Sequence, residues 1–199
     1  MAVTVEKLFE KHPDLLKAYL PLVGKSMLEL GNKVDEGMVY KEVFTAAGFY
    51  HVSVDLNAQN GAMPMDLREP IHFGTFDMVT NIGTSEHVVD KQDVVWKNIV
   101  KSTKVGGVIV CCLPCAEKDN WVGHGYWYPS HGFYEELAKN NGLTIEMLFD
   151  NGKFPKKQTV CRMKRDKEVP FVMPSLDLFT HREDGKKYVI TYASEQFTI

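Results

Sequence analysis

An acid and a glycine stand at the ends of two predicted strands early in the chain. Glu29 and Gly31 end the first apolar run, and Asp55 ends the second. A carboxylate about 20 to 25 residues after a glycine at a strand turn can accept two hydrogen bonds from ribose hydroxyls. Asp55 has that spacing from Gly31, which favours a nucleoside site. The alternative is that Asp55 only ends a strand, where acids are common.

Acid–base chemistry has four candidates in the middle of the chain: Glu86, His87, His124 and His131. Histidine titrates near neutral pH, so it is suited to taking a proton from an oxygen or nitrogen nucleophile. The alternative for His87 is a residue at a helix entry that packs and donates one hydrogen bond. The loop between His124 and His131 carries three consecutive aromatic residues: Tyr126, Trp127 and Tyr128. They can stack a planar substrate or shield a cation, or they can form a surface anchor or an oligomer contact.

Cysteine usage indicates small buried residues and no metal site. Three of the four cysteines lie at the end of one apolar strand, and Cys112 and Cys115 form a Cys-x-x-Cys pair. A structural zinc site needs a second such pair, and a redox site usually stands at a helix start. A strand leads into this pair and Pro114 interrupts it, so we expect neither.

The length and the net charge of the chain limit the classes of protein to which it can belong. The 199 residues are enough for a single domain, and a net charge of −3 argues against a surface that binds duplex nucleic acid. The first residues lack the pattern of a signal peptide, and no apolar run approaches the roughly 20 residues that cross a bilayer. We therefore expect a cytoplasmic protein with a small-molecule partner, no membrane contact, and an oligomeric state left open.

Strands and helices alternate along residues 24–165. Helices are predicted over residues 37–47, over residues 90–103 and over residues 132–140, the last with Ser130 as N-cap and Gly142 at its end. Strands are predicted at the two runs already named and at residues 63–67, 76–83 and 108–113. Two further strands, residues 143–149 and 158–163, flank an Asn151-Gly152 hairpin signal.

The ends of the chain are predicted to add to this core. Residues 1–23 have a helical period and form a cover, and residues 166–199 form an extension with one late strand over 188–192. The sum is an α/β fold: an open, mostly parallel, seven-stranded Rossmann-like sheet in three layers, with a terminal antiparallel hairpin. Such sheets bind ligands outside the carboxyl ends of their strands.

The order of four short motifs resembles the class I S-adenosylmethionine-dependent methyltransferases. They are Glu29-Leu-Gly31, Val54-Asp55-Leu56, Met65-Asp66-Leu67 and the strand that ends at Asn81. Glu86-His-Val88 after the fourth strand and the turn at 104–110 belong to the same pattern. The resemblance covers roughly residues 24–165 and includes the terminal hairpin, which distinguishes this sheet from nicotinamide-binding ones.

The resemblance implies a cofactor, S-adenosylmethionine, and methyl transfer to an oxygen or nitrogen of a small molecule. It implies that Glu29, Gly31 and Asn32 lie under the methionine part, and that Asp55 binds the ribose hydroxyls. By the same resemblance, Leu56 packs on the adenine, Asp66 and Leu67 border its amine, and Asn81 and Ile82 line the side of methyl transfer.

The sequence departs from the family at the turn after the first strand. That turn usually has two or three glycines, whereas here Gly31 is followed by five other residues before Gly37. Glycine allows a close approach of the backbone to a ligand and a positive φ. The turn is therefore longer than usual, binds the cofactor less tightly, or has lost it. The last case describes a non-catalytic protein that keeps the fold to bind a ligand or a partner. A nicotinamide domain is disfavoured because Gly-x-Gly-x-x-Gly is absent.

Overall fold

A computed structural model of the chain describes residues 25–32, 34–35, 38–117, 119–183 and 186–188. The predicted helical cover over residues 1–23 lies outside the described residues. None of the described helices is long and apolar enough to cross a membrane.

A seven-stranded sheet forms the centre of the fold. Its strands, labelled in chain order, are β1 (Ser26–Leu30), β2 (Tyr50–Asp55), β3 (Met63–Pro64), β4 (Phe76–Ile82), β5 (Thr103–Pro114), β6 (Leu143–Asn151) and β7 (Gln158–Arg165). Their order across the sheet is β3-β2-β1-β4-β5-β7-β6. The first five are parallel to their neighbours, and β7 runs antiparallel between β5 and β6. The predicted mostly parallel sheet with a terminal antiparallel hairpin is confirmed.

Among the described residues, three α-helices cover the two faces of this sheet: α1 (Tyr40–Ala46), α2 (Gln92–Lys101) and α3 (His131–Asn141). The alternation of side chains along a strand places Met27 of β1 in one core and Leu28 in the other. The first core includes Phe44 of α1, and the second includes Trp96 of α2 and Phe133 of α3. The three predicted layers are therefore present.

The first two helices are shorter than predicted. Residues Val34–Asp35 pair with Met38–Val39 in a small antiparallel ladder, so α1 begins at Tyr40 rather than at residue 37. The second helix ends at Lys101 because β5 begins at Thr103, five residues before the predicted strand. Local periodicity does not report that Thr103 pairs with Phe76 of β4.

The third helix follows the prediction closely. Ser130 is its N-cap and accepts a hydrogen bond from the Phe133 N–H, and Gly142 ends it in the left-handed conformation at φ 65°. The hairpin of β6 and β7 extends beyond the predicted strands. Residues 152–157 connect them, and the Asn151-Gly152 hairpin signal falls where β6 ends.

A second, three-stranded antiparallel sheet joins the aromatic loop to the C-terminal extension. It consists of Tyr128–Pro129, Phe179–Glu183 and Lys186–Tyr188. The predicted late strand over 188–192 thus begins earlier, and its residues from 189 onward lie outside the described residues.

The four cysteines are buried and form no disulfide with one another. Cys111 of β5 faces Cys161 of β7 across the sheet. Burial raises the pKa of both thiols far above the usual range, because a thiolate there would lack water. The burial that the sequence predicts for the cysteines is confirmed.

Candidate functional site

A cavity of about 470 Å³ opens at the carboxyl ends of β1, β2 and β4. Its size is within the range of small-molecule sites, roughly 300–1,000 Å³. The turns after these strands meet there because parallel strands end at the same edge of the sheet. Seven of the residues predicted from the sequence line it: Gly31, Asn32, Asp55, Leu56, Asp66, Leu67 and His87.

The turn after β1 passes very close to the turn after β4. Gly31 has φ +80°, and a Cβ built on it would lie 2.3 Å from Thr84 Oγ1. The Thr84 hydroxyl donates a hydrogen bond to the carbonyl of Leu30 at 2.8 Å. Only glycine fits this turn, since any side chain would be strained by the positive φ and would overlap Thr84.

Asp55 is fixed by two backbone groups at the wall of the cavity. Its Oδ2 accepts the Asn32 N–H at 3.0 Å, and its Oδ1 accepts the Asn57 N–H at 2.9 Å. The Asn32 side chain also donates to the carbonyl of Gln59. The carboxylate therefore joins the turns after β1 and β2 and has a fixed orientation. Each of its oxygens retains a further lone pair for a ligand hydroxyl.

Asp66 is paired with an arginine that the sequence analysis did not select. Arg68 contacts both carboxylate oxygens, with Nη2 2.6 Å from Oδ2 and Nε 3.0 Å from Oδ1. The hydrogen bond from Arg68 lowers the pKa of Asp66, so this carboxylate is an anion at neutral pH. Both residues line the cavity. Leu67 beside them is buried, whereas Leu56, which also lines the cavity, is 73% exposed.

Three predicted cofactor residues lie beneath the cavity rather than on its wall. The Glu29 side chain is buried, and its Oε2 lies 3.0 Å from Nε2 of His51, whose ring stacks on Phe44. Asn81 is fully buried and makes two hydrogen bonds with Ser85: it donates to the hydroxyl at 2.7 Å and accepts the backbone N–H at 3.1 Å. Ile82 belongs to the core on the α1 face. In this structure Glu29 and Ile82 pack the strand ends, and Asn81 shapes the turn that carries Glu86 and His87.

Glu86, His87 and His124 form a cluster next to the cavity. Glu86 is fully buried, while the side chains of His87 and His124 are 45% and 36% exposed. Their Nε2 atoms lie 3.8 Å and 3.7 Å from Glu86 Oε1. The two imidazole rings are in edge-to-face contact, with centroids 4.8 Å apart. The structure thus brings together three of the four residues predicted for acid–base chemistry.

His131 lies apart from this cluster, at the start of α3. Its Nε2 is 2.8 Å from Oδ1 of Asp150, an acid of β6. Partial burial would raise the pKa of Asp150, but hydrogen bonds from His131, Cys115 and Thr159 outweigh it and lower the pKa. His131 therefore joins α3 to the hairpin strands.

The aromatic loop is largely an interior structure. Trp127 is 2% exposed and its indole N–H donates to the carbonyl of Val89 at 2.9 Å. Tyr128 is fully buried; its hydroxyl donates to the carbonyl of Trp121 at 2.6 Å and accepts the Gly125 N–H at 3.0 Å. Stacking on a substrate, the role predicted for both, does not fit side chains with so little free surface. Tyr126 is partly exposed, so stacking on a substrate stays a prediction for this residue.

Eight further residues line the cavity, and the sequence analysis assigned them no role: Val34, Val54, Met65, Arg68, Gly83, Thr84, Val88 and Val89. Each lies within three residues of one that was selected. Proximity to a strand end was the available signal. It does not distinguish residues that face the cavity from those that face the core.

Solved structures of methyltransferases share this fold. The N-methyltransferase NodS from Bradyrhizobium japonicum WM9, in complex with S-adenosyl-L-homocysteine, is 17% identical, with a TM-score of 0.61 over 82% of this chain and 89% of that one. The 1,6-didemethyltoxoflavin-N1-methyltransferase from Burkholderia thailandensis, with bound 1,6-didemethyltoxoflavin and S-adenosylhomocysteine, is 15% identical, with a TM-score of 0.58 over 82% and 80%. Magnesium protoporphyrin IX methyltransferase from Synechocystis PCC 6803, with bound SAM, is 12% identical, with a TM-score of 0.56 over 80% and 79%.

No protein-family model matches the sequence, and no curated protein is significantly similar to it. At identities this low the structural similarity defines the fold. The chain has the fold of the class I S-adenosylmethionine-dependent methyltransferases, and the resemblance seen in the sequence is confirmed at that level.

Proposed function

We propose that the protein is an S-adenosylmethionine-dependent methyltransferase that acts on an oxygen or nitrogen of a small molecule. The observation that carries the proposal is the position of Asp55. Its carboxylate is fixed at the wall of a cavity of about 470 Å³, at the end of the strand next to β1. Three solved proteins of the same fold contain S-adenosylmethionine or its demethylated product.

The residues around the cavity fit the polar groups of this cofactor. Asp55 offers lone pairs to the two ribose hydroxyls, and the anionic Asp66 can accept a hydrogen bond from the adenine amine. Leu56 and Leu67 supply apolar surface on either side of the base. When bound, the cofactor supplies a methyl group on a sulfonium, and displacement at that carbon depends mainly on how the acceptor is positioned.

The turn with a single glycine is compatible with this ligand. Among the described residues of 30–35, Gly31 has the positive φ, and a Cβ added there would overlap Thr84. The next residues continue into the Val34–Asp35 and Met38–Val39 ladder instead of entering a helix. S-adenosylmethionine has no pyrophosphate, so it does not require a helix N-terminus at this turn.

We assign the proton-accepting role to the cluster of Glu86, His87 and His124. His87 lines the cavity and is half exposed, so it reaches both the ligand and water. His124 and the partly exposed Tyr126 border the same place from the aromatic loop. We propose an acceptor of small size that enters on this side. The cytoplasmic location and the single-domain organisation stay predictions of the sequence.

Binding and turnover are tested separately. Isothermal titration calorimetry with S-adenosylmethionine and S-adenosylhomocysteine should give one site per chain. In thermal denaturation, either ligand should raise the melting temperature of the protein. If neither ligand binds at millimolar concentration, the protein is a non-catalytic member of this fold and the proposal fails. Mass spectrometry of small-molecule mixtures incubated with a methyl-labelled cofactor then identifies the acceptor.

Asp55→Ala should weaken cofactor binding at least tenfold, about 1.4 kcal/mol, because it removes the acceptor for the ribose hydroxyls. Asp55→Asn keeps one carbonyl oxygen and should show a smaller loss. Glu135→Ala, an exposed acid on α3, is the control that should bind as the wild type does. Unchanged affinity in Asp55→Ala would place the ribose elsewhere.

A further inference from the structure

Glu86, His87 and His124 offer more than a proton acceptor. One ligand atom from each lies within 4.8 Å of the other two. Both histidine Nε2 atoms point at the same oxygen, Glu86 Oε1, from 3.8 Å and 3.7 Å. Two imidazoles and a carboxylate thus converge on one point, although they come from two loops that are far apart in sequence.

The buried carboxylate of Glu86 has no hydrogen-bond donor among the described residues. Glu86 is fully buried, and within the described part of the chain neither of its side-chain oxygens accepts a hydrogen bond. Among the described residues, the ionisable side chains within 4.0 Å of these oxygens are the two histidines, at distances too long for hydrogen bonds. Removing a carboxylate from water without compensation is strongly unfavourable, so a cation at this point would stabilise it.

The loops hold Glu86 in place through its main chain. The N–H groups of Tyr126 and Trp127 both donate to its carbonyl, at 2.6 Å and 3.3 Å. Gly125 packs directly on it, since an added Cβ would lie 2.9 Å from Glu86 Cγ and 3.0 Å from its carbonyl oxygen. Because Tyr128 in turn bonds Trp121 and Gly125, the loop that carries His124 is fixed relative to Glu86.

We propose that Glu86, His87 and His124 bind a divalent transition-metal ion of the zinc, cobalt or nickel type. A carboxylate with two imidazoles is a ligand set for these ions, and three protein ligands leave a position open. At metal–ligand distances of about 2.0–2.1 Å, tetrahedral ligand atoms lie roughly 3.4 Å apart. The observed distances from Glu86 Oε1 to the two Nε2 atoms, 3.7 Å and 3.8 Å, are slightly longer, and the ligand atoms of the three residues lie within 4.8 Å of one another. The exposed histidines can close this difference by small rotations.

The location suggests what the ion does, and this part rests on the proposed function. His87 belongs both to the cluster and to the wall of the cavity, so the open position of the metal lies at the boundary between them. An acceptor hydroxyl or amine bound there would be oriented beside the cofactor. The cation would also lower the pKa of that group, so that its proton passes to water; with the ion bound, the two imidazoles act as ligands in place of proton acceptors. The acceptor class is therefore a small molecule with a metal-binding oxygen or nitrogen.

The metal site is tested without cofactor or substrate. The protein is first treated with a chelator and dialysed. It is then titrated with Co²⁺ while its visible absorption is followed. In a second experiment it is titrated with Zn²⁺ in competition with a coloured chelator. One equivalent should bind, with the intense absorption of low-coordinate Co²⁺. Glu86→Gln and His124→Asn should each weaken binding at least tenfold. His131→Asn changes an exposed histidine that already pairs with an acid outside the cluster, and it should bind as the wild type does.

Two results would overturn the proposal: no stoichiometric binding by the wild type, or an affinity that is the same in wild type, Glu86→Gln and His124→Asn. His124 lies on the surface, so its variant should remain folded and a loss of binding there reports on the site itself. Cofactor binding is measured on the same chelated protein. Metal binding without cofactor binding would refute the methyltransferase and leave the metal site standing, and the reverse result would refute only the metal site.

Discussion

The contact between Gly31 and Thr84 makes a quantitative prediction about the turn on which the cavity depends. In Gly31→Ala the new residue keeps φ near +80°, which costs about 1–2 kcal/mol for a residue with a Cβ. Its Cβ would also lie 2.3 Å from Oγ1 and 3.0 Å from Cγ2 of Thr84. Relieving such an overlap in a packed site costs about 1–3 kcal/mol. We expect a total destabilisation of about 2–5 kcal/mol.

The two contributions can be separated within the same chain. Gly74 has φ +89° and no atom within 4 Å of an added Cβ, so Gly74→Ala measures the backbone cost alone. Gly31→Ala in a Thr84→Ala background removes the two nearest atoms, Oγ1 and Cγ2, and leaves the Thr84 Cβ at 3.2 Å. In that background the substitution should cost about 1–2 kcal/mol, close to the value at Gly74.

The double-mutant cycle consists of the wild type, Gly31→Ala, Thr84→Ala and the double variant. Urea unfolding of these four proteins, followed by circular dichroism, gives the differences in unfolding free energy. The reasoning would be refuted by equal costs of Gly31→Ala in the two backgrounds, or by a cost at Gly31 no larger than that at Gly74. Gly31→Ala should also weaken cofactor binding, since relieving the overlap moves Asn32, whose N–H bonds Asp55.

Two further predictions concern stability. Partial burial would raise the pKa of Asp77, but hydrogen bonds from Ser26 and Lys104 outweigh it and lower the pKa to about 2. Asp77 therefore stabilises the fold above pH 4, and this contribution is lost as the pH falls towards 2. The stability difference between wild type and Asp77→Asn should shrink over that window in urea titrations; a constant difference would contradict the assignment. Ser130→Ala should lower the unfolding free energy by about 1 kcal/mol, because the Phe133 N–H loses its cap. Ser130→Asp should retain it, and equal losses in both variants would argue against capping.

The strand ends show how far local sequence signals reach. The positions of Gly31, Asp55 and Asp66 follow from apolar runs that stop at a glycine or an acid, and all three line the cavity. Ser130 and Gly142 mark α3 almost to the residue, since capping depends on groups within one turn. The predicted start of α1 was wrong because Val34–Asp35 and Met38–Val39 form paired strands there, and that pairing has no strong local signature.

The sequence by itself determined the order of elements, the parallel sheet with its terminal hairpin, and the edge of the sheet at which the cavity opens. These features depend on hydrophobic period and on turn residues, which are local. Only the tertiary structure decided which polar side chains face the cavity. It buried Glu29 and Asn81, enclosed Trp127 and Tyr128, and joined His124 to Glu86 across a long stretch of chain. Such contacts are set by how two loops pack on each other, and no pattern within either loop specifies them.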